Sequence, residues 1–95
     1  MYIKKYKPIK CNNGFTMSVQ ANEGAYCSPR NNIGPYTAVE VGYPSLKESL
    51  LMEWAEDPDR PTESIYGWVP SEVIWKVIEK NGGWKEGVLP PLVVT

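Results

Sequence analysis

Histidine is absent from this 95-residue chain, cysteine occurs twice, and phenylalanine once. Each shortage removes a class of chemistry. Cysteine catalysis usually draws on a base such as histidine, and here there is none. Two cysteines sixteen positions apart with no histidine cannot build a four-ligand structural zinc site. Glycine-rich phosphate cradles are also missing, since Gly82-Gly83 follows a helical pattern instead of opening one. The acidic stretch "DPDRPTE" offers Asp57, Asp59 and Glu63 but lacks the glycine and ligand spacing of a calcium loop. Glu53, Glu56 and Asp57 sit on or beyond an expected helix end, where ordinary exposure accounts for them. The expectation is a protein that is not an enzyme, with no catalytic residues, no metal and no cofactor.

Long apolar runs are lacking too. None approaches the ~18 residues needed to cross a membrane, and no apolar stretch of about 7–15 residues follows the N-terminal lysines as in a signal peptide. The expected location is the cytoplasm, away from membranes. Net charge is small, at −1, but the charges are segregated. Lys4, Lys5, Lys7 and Lys10 lie in a stretch without acids, whereas Glu48, Glu53, Glu56, Asp57, Asp59 and Glu63 face a single Arg60. "MYIKKYKPIK" interleaves lysine with Tyr2 and Tyr6, a pattern that could serve nucleic acid. The acidic pI of about 5.4 disfavours that partner, and lysines guarding a sheet edge explain the pattern better.

What the chain does have is aromatics and turn formers: four Trp, six Tyr, nine Pro and eight Gly. Aromatics bury much area per residue, which suits one small domain spanning residues 1–95. Phe15, Met17, Val19 and Ala21 alternate with polar residues, the period of a half-buried strand. A three-residue loop, Asn12-Asn13-Gly14, sets Cys11 beside Phe15 and Ile9 beside Met17, so apolar side chains share a face. The same logic at Asn22-Glu23-Gly24 sets Gln20 opposite Tyr26 and Val19 opposite Cys27, completing an N-terminal β-meander. Phe15 and Val19 are then roughly 13 Å apart, too far for their partners Cys11 and Cys27 to form a disulfide. A strand follows at 36–43, with Thr37, Val39, Val41 and Tyr43 on one face.

Ser45 and Glu48 have the spacing of a capping box, and Leu46, Leu50, Leu51 and Trp54 form a helical stripe ending before Pro58. "SIYGWVP" reads as a short strand buried on both sides, with Tyr66 and Trp68 on one face. A second helix starts at Pro70, buries Val73, Ile74, Val77 and Ile78 with Trp75 beside them, and stops at Asn81-Gly82-Gly83. The tail holds Trp84 and "VLPPLVVT", with an edge strand expected there. The fold class is α+β: a small antiparallel sheet of four or five strands with two helices packed on one face. Strand order, and whether strands pair within one chain or across a homo-oligomer, stay open.

The candidate site is "YCSPRNNIGPY". Ser28-Pro29 breaks the meander, and an eight-residue excursion collects Ser28, Arg30, Asn31 and Asn32 between Tyr26 and Tyr36. Arginine clamps anions, asparagine amides read polar edges and tyrosines stack. Two functions fit: a small non-enzymatic interaction protein that occludes a partner protein, or a binder of a phosphorylated, nucleotide-like small molecule. Cys27, three residues from Arg30, is expected to be structural. The stretch "CNNGFTMSVQANEGAYCSPRNNIGPYTAVEVGYPS", together with "IYGWVP", resembles small accessory proteins encoded by bacteriophages and prophages. That resemblance implies a protein acting in the host cytoplasm, with inhibition of a host defence protein as its role, and it implies no site residues.

Overall fold

A computed structural model describes residues 5–93; Tyr2 and Lys4 of the basic stretch lie outside the described residues. The elements run β1 (Ile9–Cys11), β2 (Thr16–Gln20), β3 (Ala38–Gly42), a 3-10 helix (Ser49–Trp54), β4 (Ile65–Pro70), α1 (Ser71–Lys80) and β5 (Trp84–Glu86). The five strands form one antiparallel sheet in the order β4-β3-β2-β1-β5. Helix α1 and the 3-10 helix share one core with it, through Leu51, Ile74, Val77 and Ile78. This is the α+β class that the pattern predicts.

The first hairpin has the expected register. Ile9 faces Met17, and Cys11 N–H donates to the Phe15 carbonyl at 2.8 Å. Gly14 closes the loop at φ 94°, a left-handed conformation that suits glycine. Its inward side chains, Ile9, Cys11, Phe15, Met17 and Val19, are all buried.

The second expected hairpin does not form. Strand β2 pairs with β3 instead, setting Val19 opposite Val41 and Gln20 opposite Glu40. The segment between them leaves the sheet and returns through a single bridge, Ser28 to Ala38. Proline at position 29 would limit a Cys27-containing ladder to a few pairs, whereas Val39 and Val41 offer β2 a longer apolar partner. Both thiols are nonetheless free and buried. β1 is no edge either, because β5 covers its other side. Its lysines therefore do not guard a sheet edge in the folded protein.

Strand β4 holds a further departure. Val39 and Val41 of β3 face Val69 and Tyr66, so three steps on β4 oppose two on β3. This is a β-bulge, and it reverses the side-chain alternation. Tyr66 and Val69 are buried while Trp68, at φ 52°, points outward. Tyr66 and Trp68 therefore do not share a face, and the strand is not buried on both sides.

The first helix is a short 3-10 segment. Ser45 is drawn away from any capping box by Thr16, donating its N–H to the Thr16 carbonyl at 2.8 Å and accepting from Thr16 N–H at 3.0 Å. Glu48 caps alone, its carboxylate accepting from Leu50 N–H. Three residues per turn put Leu51 and Trp54 on one side and turn Leu50 outward. Leu46 precedes the helix and is exposed.

Helix α1 follows β4 without a connecting residue, Pro70 serving as its N-cap rather than its first helical residue. Ile74, Val77 and Ile78 are buried and Val73 partly so, but Trp75 lies off that stripe and is exposed. Gly82 (φ 90°) and Gly83 (φ 97°) end the helix, and Gly83 N–H caps the Ile78 carbonyl. The tail then supplies β5 and returns to Tyr36.

Candidate functional site

The excursion between β2 and β3 is fastened from within. Tyr36, fully buried, is its anchor. The Tyr36 hydroxyl donates to the Asn31 carbonyl at 2.8 Å, and the Tyr36 N–H donates to the Pro91 carbonyl at 2.8 Å. The Tyr36 carbonyl accepts from Val93 N–H and from the Ser71 hydroxyl at 2.7 Å. Burial pushes the phenol pKa up, so it stays neutral. Tyr36 thus offers no surface to a ligand; its work is structural.

The two asparagines turn their carbonyl oxygens onto the backbone. Asn31 Oδ1 accepts from Ile33 N–H (3.0 Å) and Gly34 N–H (2.9 Å), an Asx-type turn. Asn32 Oδ1 accepts from Glu23 N–H at 3.0 Å, tying the two turns of the excursion together. Ser28 is exposed, with its backbone paired to Thr37 and Ala38. Gly34 sits at φ 75° with Tyr36 and Pro91 packed against it, leaving no room for a side chain.

Cys27 lies beneath the loop, its thiol donating to the Asn22 carbonyl at 3.2 Å. Burial raises its pKa, and the Asn22 hydrogen bond and Arg30 only partly oppose that. A thiol held neutral and buried is a poor nucleophile. Among the described residues no group of three or more His, Cys, Asp or Glu could hold a metal ion.

Two predicted residues do meet at the surface, and a third joins them. Tyr26 N–H donates to Glu40 Oε1, and Tyr26 O accepts from Trp68 N–H at 3.0 Å. These bonds lay the tyrosine ring on the indole of Trp68, with centroids 5.0 Å apart and planes 27° from parallel. The guanidinium carbon of Arg30 lies 5.9 Å from the Tyr26 centroid, within cation–π range. Gly67 eases this approach, because a Cβ there would press on Tyr26 Cβ at 3.3 Å. All three side chains are exposed, Trp68 to 51%.

The sequence names Trp68 as a strand aromatic sharing a face with Tyr66 but does not place it among the candidate site residues. The available signal was Gly67, since a glycine inside a strand pattern often marks a bulge. Depressions of about 260 Å³ (Thr37, Pro70, Ser71, Glu72, Val93) and about 200 Å³ (Lys5, Gln20, Asn22, Gly24, Ala25, Glu40) lie elsewhere on the surface. Neither is lined by Tyr26, Arg30 or Trp68. Comparison with protein-family models, with curated proteins and with solved structures finds no match.

Proposed function

We propose that this chain is a non-enzymatic binding domain whose contact surface is centred on Tyr26, Trp68 and Arg30 and whose partner is a protein. The observation that carries this reading is the exposed Tyr26–Trp68 stack with Arg30 against it. Tryptophan, tyrosine and arginine are the residues in which binding energy concentrates at protein interfaces. Trp68 also holds a left-handed backbone conformation that is costly for a bulky residue. Such a cost is readily understood where the side chain is needed outside the fold.

A protein partner suits the shape better than a small phosphorylated ligand does. Small-molecule sites are concave and enclose most of their ligand, with typical volumes of about 300–1,000 Å³. The Tyr26–Trp68–Arg30 group lines neither depression, and Asn31 Oδ1 and Asn32 Oδ1 already accept from the backbone. The phage-protein resemblance suggests the form of the partner: a host protein, with a defence protein blocked by occlusion.

The test is affinity capture from the cells in which the protein is made, with mass spectrometry of small molecules released on heating. The wild-type chain should retain one protein in stoichiometric amount. Trp68→Gly, which suits the φ of 52° without strain, should lose it while keeping the melting temperature within a few degrees. Arg30→Ala should weaken capture in the same direction. A stoichiometric phosphorylated ligand, bound equally by Trp68→Gly, would overturn the proposal.

A further inference from the structure

The pair Asn-Gly occurs twice in this chain, at 13–14 and at 81–82. Asparagine is chemically labile, and most so before glycine, whose missing Cβ lets the backbone nitrogen swing onto the side-chain carbonyl. The fold sets the two pairs side by side, with Asn13 Nδ2 donating to Asn81 Oδ1 at 2.8 Å. They are not equally sheltered. Asn81 is buried, and its amide donates to the Val77 carbonyl at 2.8 Å and to Glu48 Oε1 at 3.1 Å. Asn13 and Gly14 are exposed, and nothing lies within 4 Å of the place a Cβ would take on Gly14. What restrains Asn13 is a set of hydrogen bonds. Its Oδ1 accepts from Phe15 N–H at 2.9 Å, its Nδ2 is engaged by Asn81, and Gly14 N–H donates to the Cys11 carbonyl at 3.0 Å. The nitrogen that would attack and the carbonyl it would attack are both tied down.

We propose that Asn13-Gly14 is a self-modification site, kept in its amide form by the end of α1, and that its conversion frees the first turn from the helix. The site stands whether or not the chain binds a partner. Gly14 N, on losing its proton, attacks Asn13 Cγ, and the new C–N bond closes a cyclic imide. The Cγ–Nδ2 bond breaks, and Nδ2 leaves as ammonia with that proton. Water then opens the imide at either carbonyl, giving aspartate or isoaspartate, with no change of oxidation state. The product cannot rebuild the contact. A carboxylate only accepts, so an oxygen would face Asn81 Oδ1 where a donor stood. The added negative charge also arrives one hydrogen-bonded neighbour away from the buried Glu48 carboxylate. Each opening of the turn risks this change, and the change is not reversed when the turn closes.

The test follows conversion by peptide mass spectrometry in the full-length chain, held in mildly alkaline buffer with and without urea. In urea both Asn-Gly pairs should convert at comparable rates. In the folded protein Asn13 should convert at least about tenfold more slowly than in urea, and Asn81 more slowly still, since each must wait for local opening. Asn12→Ala removes the exposed bond from Asn12 Nδ2 to the Gly82 carbonyl at 2.7 Å and leaves the core alone. It should speed conversion of Asn13 in the fold by about two- to tenfold, the worth of one hydrogen bond, and change nothing in urea. Asn13→Asp, which installs the product, should melt several degrees below wild type. Asn13 converting as fast in the fold as in urea, or after Asn81, would overturn the site, and so would an Asn12→Ala rate equal to wild type. Asn13→Asp melting with the wild type would overturn the release of the turn.

Discussion

Two turns of this chain carry nearly the same three residues, and they do opposite things. Asn12-Asn13-Gly14 closes a hairpin; Asn22-Glu23-Gly24 begins an excursion. Gly14 takes the left-handed conformation that a three-residue hairpin needs, whereas Gly24 is not among the glycines at positive φ. Asn22 instead bends the chain locally, its side chain accepting from Gly24 N–H and its carbonyl from Ala25 N–H. The outcome depends on what each turn meets in space. Asn13 N–H reaches the Asn81 carbonyl, its amide reaches Asn81 Oδ1, and Asn12 N–H reaches the Gly83 carbonyl, so the end of α1 clamps the first turn. The second turn is held by Asn32, within the excursion itself. A turn motif thus states a permission, and tertiary partners decide whether it is used.

Breaking the anchor of the excursion should have the largest effect. Tyr36→Ala removes a fully buried aromatic and should cost about 3–5 kcal/mol, close to the whole stability of a small domain. Denaturant unfolding would show it as loss of most of the folded baseline. The clamp on the first turn can be loosened by acid instead. Asn81 also donates to Glu48, a buried carboxylate that Lys80 and Leu50 N–H share. Burial pushes the Glu48 pKa up, but these donors outweigh it and leave the group below its ordinary value. A depressed carboxyl stabilises the fold above its unfolded pKa, and that contribution is lost as pH falls through the lower folded value. Acid should therefore lower the protection factors of amides at the Asn12-Asn13-Gly14 turn, after correction for the intrinsic exchange rate, before those of the excursion, and Glu48→Gln should flatten the pH dependence. Equal acid sensitivity at both turns would contradict the clamp.

The smallest effects compare the two glycines directly. Gly14→Ala has open space around it but a φ of 94°, so backbone strain alone should cost about 1–2 kcal/mol. Gly24→Ala is exposed and free of that constraint, and should stay within about 0.5 kcal/mol of wild type. Thermal melts of the two variants side by side would sharpen or erase the distinction.

The same contrast shows what was legible in the sequence. Local rules that packing reinforces were readable: the Cys11–Phe15 register, the Ile74, Val77 and Ile78 stripe, and the glycine stop at 82–83. Choices among distant partners were not. β2 selects β3 over the nearer Tyr26–Cys27 segment, and Ser45 bonds Thr16 in place of capping a helix. In the candidate site, composition singled out the loop, but it could not sort its members. Asn31 and Asn32 spend their Oδ1 atoms on backbone donors although Asn32 is exposed, Tyr36 is buried, and Tyr26 and Arg30 remain outside. Trp68 joined them only through a bulge, which shifts a side chain from one face to the other by a single residue.

The strand order has a consequence for synthesis. β1 and β2 are complete within the first twenty residues, yet β5, which covers the other side of β1, spans residues 84–86. During translation the flank of β1 stays open until residues 84–86 have emerged, an interval of seconds at roughly 5–20 residues per second. An unpaired flank of this kind invites pairing with other nascent chains, and lysines discourage that. Lys7 and Lys10, which guard nothing in the finished fold, stand where a guard is needed while the chain is being made.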